Sequence, residues 1–184
     1  MKLQWRRLKI DMRDYLLDTN IWAYWFDPKN YSEQHANIQE RLKNLPSFAR
    51  LNISVISCGE IDYGNSVNQK KELSRKAEFR KFIDGVAPWL VSIERHTAKT
   101  YGELRARLFE KYAPKNKRTK GLRPEQLIDP VTSLELGIQE NDLWITAQAA
   151  TFNLTLVTND QKMNHIHEIA GKSLHVDNWA VNGK

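Results

Sequence analysis

The chain alternates between short apolar runs and longer segments whose apolar residues recur at helical spacing. Tyr15-Leu16-Leu17 is the first run, and it ends abruptly in Asp18-Thr19-Asn20. A strand that closes on polar groups predicts a crevice there, because open α/β sheets keep their chemistry outside the carboxyl ends of their strands. Ile21 to Phe26 continues apolar as a helix broken at Asp27-Pro28. Residues 32–45 carry Ala36, Ile38, Leu42 and Leu45 at amphipathic spacing. The β-rich run 52–57 predicts a second strand, with a helix starting near Ser57 and Glu60 at capping-box distance. A charged surface helix over 68–84, a short strand over 88–93 and a helix over 97–112 follow. Asn141 then reads as the N-cap of an Ala-rich helix, apolar nearly all round and hence buried. Thr155–Thr158 is a strand leading to Asn159-Asp160, and Leu174-His175-Val176 is a last edge strand. This alternation of strands and helices predicts an α/β fold, a parallel α/β/α sandwich.

Two segments do not fit the rhythm. Residues 1–12 form a basic extension: Lys2, Arg6, Arg7 and Lys9 against Asp11 leave it at 4 − 1 = +3, and Met12 is an alternative start. Residues 113–138 are punctuated by Pro114, Gly121, Pro124 and Pro130. They read as a basic loop insertion, with Lys115, Lys117, Arg118, Lys120 and Arg123 either touching RNA or forming a mobile surface. The remainder, 13–184, reads as one domain.

At 184 residues the chain is long enough for a proper core, and 41% hydrophobic with 27% charged residues is a soluble composition. No apolar run approaches the length of a membrane span, and the amino end lacks the apolar stretch of a secretory signal. The single cysteine, Cys58, excludes an internal disulfide and suits a reducing cytoplasm. It has no evident base beside it and reads as a small buried residue. A net charge of +6 favours an anionic partner such as nucleic acid. No Gly-rich phosphate loop, zinc spacing or nucleophile elbow is present. His165 and His167, two residues apart, diverge on a helix, and His35, His96 and His175 lack a motif.

The acids are the informative residues. Asp18, Glu60, Asp142 and Asp160 each fall at a strand end or at the start of the following helix, points that converge at one edge of a parallel sheet. Two unit charges about 4 Å apart repel by roughly 4 kcal/mol at an effective dielectric of 20. Several carboxylates therefore share a crevice only with a cation or with added protons. Oxygen donors select a hard cation, Mg²⁺ or Mn²⁺, which activates water for phosphodiester hydrolysis. The bland roles are capping for Glu60 and a favourable helix dipole for Asp142.

Four stretches, Tyr15–Asn20, Ile56–Ile61, Glu140–Ala149 and Leu154–Asp160, together with Tyr101–Arg105 and the tail Leu174–Trp179, resemble the PIN-domain ribonucleases, most closely the VapC toxins of bacterial toxin–antitoxin pairs. The resemblance implies a PIN-like α/β/α sandwich and a divalent-metal-dependent endoribonuclease. Asp18, Glu60, Asp142 and Asp160 match the family's acidic quartet, and Asn20 and Thr158 match the polar positions that support it. It also implies an RNA substrate, a homodimer and a cognate antitoxin. Two other readings compete: a PIN-like module that binds RNA or protein without cutting, and a haloacid-dehalogenase-type phosphatase. The phosphatase needs a second Asp where Asn20 stands.

Overall fold

A computed structural model describes residues 14–67, 72–113 and 122–182. Five parallel strands form the central sheet: β1 (Tyr15–Leu17), β2 (Leu51–Ser54), β3 (Trp89–Val91), β4 (Thr155–Val157) and β5 (His175–Asp177). Their order is β3-β2-β1-β4-β5, so the first strand is central and the edges are β3 and β5. Among the described residues seven α-helices connect them: α1 (Thr19–Phe26), α2 (Ser32–Lys43), α3 (Val55–Val67), α4 (Glu72–Val86), α5 (Arg95–Tyr112), α6 (Glu140–Thr151) and α7 (Met163–Ala170). The expected α/β/α sandwich is what forms, and its sheet is parallel at every pairing.

The two-residue period of a strand builds both cores. Leu16 and Leu156 face one way, into a cluster with Leu104 and Leu108 of α5, Leu143 and Ile145 of α6, and Ile166 of α7. Leu17, Ile53 and Val157 face the other, against Ile21 and Trp22 of α1, Ile38 of α2 and Phe79 of α4. The aromatic run after Asn20 is core packing: Trp22 stacks on Trp25 at 5.5 Å, and Phe82 of α4 closes edge-on against both. Burying side chains of this size stabilises by about 1.5–3 kcal/mol each.

Three expectations need correction. The second strand stops at Ser54, and α3 begins at Val55 rather than near Ser57. Ser54 Oγ accepts from the Ile56 amide (2.9 Å) and supplies the cap. Ser57 lies buried inside the helix, and Glu60 is in its second turn. Helix α6 begins at Glu140, so Asn141 is not its N-cap. Cys58 is only partly buried, and burial raises its thiol above the usual range, which does not favour a nucleophile.

The 113–138 segment divides. Residues 114–121, with Lys115, Lys117, Arg118 and Lys120, lie outside the described residues, as does the 1–12 extension. From Leu122 onward the chain is anchored to the core at several points, while residues 130–135 are exposed. Leu127, Leu136 and Ile138 are buried in the α5–α6 core, Ile128 bridges to Glu135, and the Glu125 carboxylate accepts from the Glu140 amide at the start of α6 (3.2 Å). Arg123 is exposed. A mobile loop does not describe this half: its apolar residues are spaced for neither helix nor strand, yet they complete a core whose other walls lie elsewhere in the chain. Among the described residues no helix is long and apolar enough to cross a membrane.

Candidate active site

The carboxyl edge of the sheet gathers all four acids. Asp18 follows β1 directly and caps α1, where its Oδ1 accepts from the Thr19 amide (2.7 Å). Its Oδ2 accepts from the Asn20 amide nitrogen (2.8 Å) and from the Thr158 hydroxyl (2.7 Å). Thr158 ends the neighbouring strand β4. Its oxygen also accepts from Asn20 Nδ2 (3.2 Å) and from the Asp160 amide (3.1 Å), so both capacities of the hydroxyl are in use. Asn20 in turn accepts from the Asn159 amide (3.2 Å), and Asn159 accepts from Asn178 beyond β5 (2.9 Å). Three strand ends are thus tied by short polar side chains.

Glu60 stands on the other side. Its Oε2 accepts from the Thr19 hydroxyl (2.5 Å) and its Oε1 from the Asn141 amide (2.8 Å). Asp142 sits in the first turn of α6 and accepts from the Gln139 amide (2.7 Å), so it closes the helix end that Asn141 was expected to cap. Asp160 accepts from the Lys162 amide (2.9 Å). Asn20 and Thr158 are both in contact with Asp18. Thr19 and Asn141 are site residues that the motif reading passed over. Both lie inside the quoted motifs, but their partner Glu60 is 41 and 81 residues away.

The electrostatics are unbalanced. Asp18 is 6% exposed, and burial raises its pKa; the hydrogen bonds from Thr158 and Thr19 oppose this, while Glu60 and Asp160 add to it. Asp142 is pushed up to about 6, chiefly by burial and further by Asp18, Asp160 and Glu60, against the Gln139 amide. Among the described residues neither Asp18 nor Asp142 has a cation as partner. Every carboxylate bond described above comes from a neutral donor.

The donor set suits a hard cation. Among the described residues no three Asp, Glu, His or Cys side chains form a ready-made metal cage. Asp18 and Asp142 are the side chains whose charge a cation would most relieve.

Beside the crevice, Trp144 of α6 stacks on Tyr101 of α5 at 3.8 Å. Arg105 donates to the Tyr101 hydroxyl (2.6 Å) and to Glu140 (2.9 Å), joining the two helices near the start of α6.

Residues 15–169 match the PIN domain model, and the chain belongs to that family. No curated protein matches it. Among solved structures it is similar to VapBC2 of Rickettsia felis bound to a DNA fragment from the promoter, at 27% identity and TM-score 0.59, covering 90% of this chain and 98% of that one. It also resembles VapBC-1 of nontypeable Haemophilus influenzae (23%, TM-score 0.60, 91% and 98% covered). VapBC-5 of Mycobacterium tuberculosis, from the VapBC family of toxin–antitoxin systems, matches at 20% identity and TM-score 0.52, with 89% and 97% covered.

Proposed function

We propose that this PIN-domain protein is a Mg²⁺-dependent endoribonuclease, the toxin of a toxin–antitoxin pair, acting on RNA in the cytoplasm. One observation carries the reading: a nearly buried aspartate, Asp18, is surrounded by three further acids and has only neutral hydrogen-bond donors. An acid arranged in this way favours a divalent cation over any group the protein supplies.

The residues then divide the work. Asp18 and Asp142 hold the ion, Glu60 and Asp160 ligate it directly or through water, and Mn²⁺ can substitute. Such an ion would supply Lewis acidity toward a water and the phosphodiester, with these side chains holding it. Thr158 and Asn20 fix the Asp18 carboxylate, while Thr19 and Asn141 fix Glu60. The basic surface draws the RNA in, with Lys115, Lys117, Arg118, Lys120 and Arg123 as its contacts. The VapBC likeness supports a cognate antitoxin as partner, and a homodimer is the proposed working form.

The phosphatase reading is disfavoured by geometry. Asn20, where that chemistry needs an acid, donates its amide to Asp18 and Thr158. The binding-module reading predicts that Mg²⁺ and Mn²⁺ change neither melting temperature nor RNA integrity.

The decisive experiment is Asp18→Asn. Asparagine caps a helix as well as aspartate does, so the variant folds. It is expected to lose cleavage by roughly 10³-fold or more and to stop arresting growth. A folded, contaminant-free variant that still cleaves RNA would sink the reading. Mapping RNA ends in cells expressing the protein beside this variant identifies the substrate.

A further inference from the structure

Helix α6, which carries Asp142, touches the β2–α3 unit, which carries Glu60, through two polar rungs. The upper rung is the Asn141–Glu60 bond already described. The lower rung is buried: the Ser54 hydroxyl donates to Gln148 Oε1 (2.5 Å), and Gln148 Nε2 donates to the Val91 carbonyl at the end of β3 (2.9 Å). Both side chains are 0% exposed. Glu60 lies six residues after Ser54, and Gln148 seven after Asn141, which at 1.5 Å per helical residue is about 9 and about 10.5 Å. Helix α6 is thus held at two points, to the β2–α3 junction and to α3 itself, with the acids beside the upper one.

Packing does not explain the lower rung. Gln148 lies in α6 among buried Leu143, Ile145, Ala147 and Ala149. Ser54 occupies the strand face opposite Ile53, where Leu16 and Leu156 are apolar on the neighbouring strands. Leucine or methionine would fill such positions, whereas a buried amide and hydroxyl must recover their desolvation through hydrogen bonds. Buried polar pairs of this kind are best attested as devices that set register. The same Ser54 oxygen caps α3 through the Ile56 amide, so the starting point of α3 is defined by the group that grips α6. One glutamine thereby joins α6 to the β2–α3 junction and to the end of β3.

We propose that Gln148 and Ser54 are positioning residues that set the separation of the Glu60 and Asp142 carboxylates, and hence the site's affinity for a divalent cation. The proposal rests on the metal-nuclease reading for its consequence but not for its geometry. It is tested with Gln148→Met, which keeps the volume and helix propensity and removes both hydrogen bonds, and with Ser54→Ala should the first variant fail to fold. The readouts are Mn²⁺ affinity by electron paramagnetic resonance titration, metal-free melting temperature, and a crystal structure of the variant.

The expected result is a loss of Mn²⁺ affinity of roughly ten-fold or more, the usual effect of removing a group that orients a ligand. Melting temperature falls by only a few degrees, and the Glu60–Asn141 bond is broken in the crystal. A purely structural role would lower the melting temperature and leave the affinity of the folded protein alone. A variant within two-fold of the parent's affinity and retaining Glu60–Asn141 overturns the proposal. A parent that takes up no Mn²⁺ refutes the metal reading instead. The strut is then judged on the crystal structure: a retained Glu60–Asn141 bond overturns it and a broken one supports it.

Discussion

Helix α1 has a nearly buried aspartate at each end, and the two are handled in opposite ways. Asp18 at the N-cap is 6% exposed and Asp27 at the C-cap 7%. Asp27 is covered by its immediate neighbours but lies near the periphery. Burial pushes its pKa up, yet hydrogen bonds from Asn30 and Arg75 and the Arg75 charge outweigh this and leave it below the usual range. Asp18 has bonds of similar number but no cation, and three acids lie around it, so its pKa goes up. An aspartate that only holds the fold together is supplied with its counter-ion by the chain. Asp18, at the point where four acids meet, receives no counter-ion from the described residues, which is what the proposed metal site requires.

That contrast can be broken at either end. The largest effect is the loss of RNA cleavage in Asp18→Asn, roughly 10³-fold, where Asp27→Asn is expected to leave cleavage intact. Next is Arg75→Met, which strands Asp27 without its charge partner. Arg75 is about half exposed, so water takes over part of its role. The expected cost is about 1–2 kcal/mol, measured by urea denaturation at pH 7. Because the folded pKa of Asp27 is depressed, the stability it contributes is present above its unfolded value near 3.9 and is lost as pH falls through the folded value. The Arg75→Met deficit should therefore shrink under acid.

Asp142 has the opposite sign. Its folded pKa of about 6 lies above the unfolded value, so the metal-free protein loses stability as pH rises from about 4 to 6. Asp142→Asn is expected to reduce that slope, the remainder coming from the raised Asp18, and to stabilise the metal-free protein at pH 7 by about 1–2 kcal/mol, allowing for partial exposure. Calorimetry across pH 4–7 checks it, and an unchanged slope would mean that Asp142 is not the group responsible. Smallest is the effect of Lys117→Ala with Arg118→Ala. The salt dependence of RNA binding should flatten by about one to two units of log–log slope, and an unchanged slope would mean that these residues do not contact phosphate.

Much of this arrangement was legible in the sequence. A strand that ends in an acid is a local pattern, and so Asp18 and Asp160 could be placed without coordinates. The placement of Glu60 rested on a local signal that misled. Ser57 and Glu60 have capping-box spacing, but Ser54 caps the helix because its oxygen is also gripped by Gln148, 94 residues away. Asn141 looked like an N-cap for the same reason: its residue type fits, but its amide is used by Glu60. The packed half of the 113–138 segment was hidden because Leu127, Leu136 and Ile138 follow no period; they fit a core whose shape is set by α5 and α6. The Arg75–Asp27 pair joins residues 48 apart, with nothing local to mark it. In each case the missing information is a contact between elements distant along the chain.

The position of β1 at the centre of the sheet has a consequence for biosynthesis. Asp18 is made early, but its hydroxyl partner Thr158 is 140 residues further on, and Glu60 waits 81 residues for Asn141. Contacts of such long range form late and slowly. A ribosome translating this chain holds an unassembled catalytic centre until β4 has emerged and docked beside β1. The four acids and the side chains that hold them therefore come together only after Thr158 and Asp160 have been synthesised.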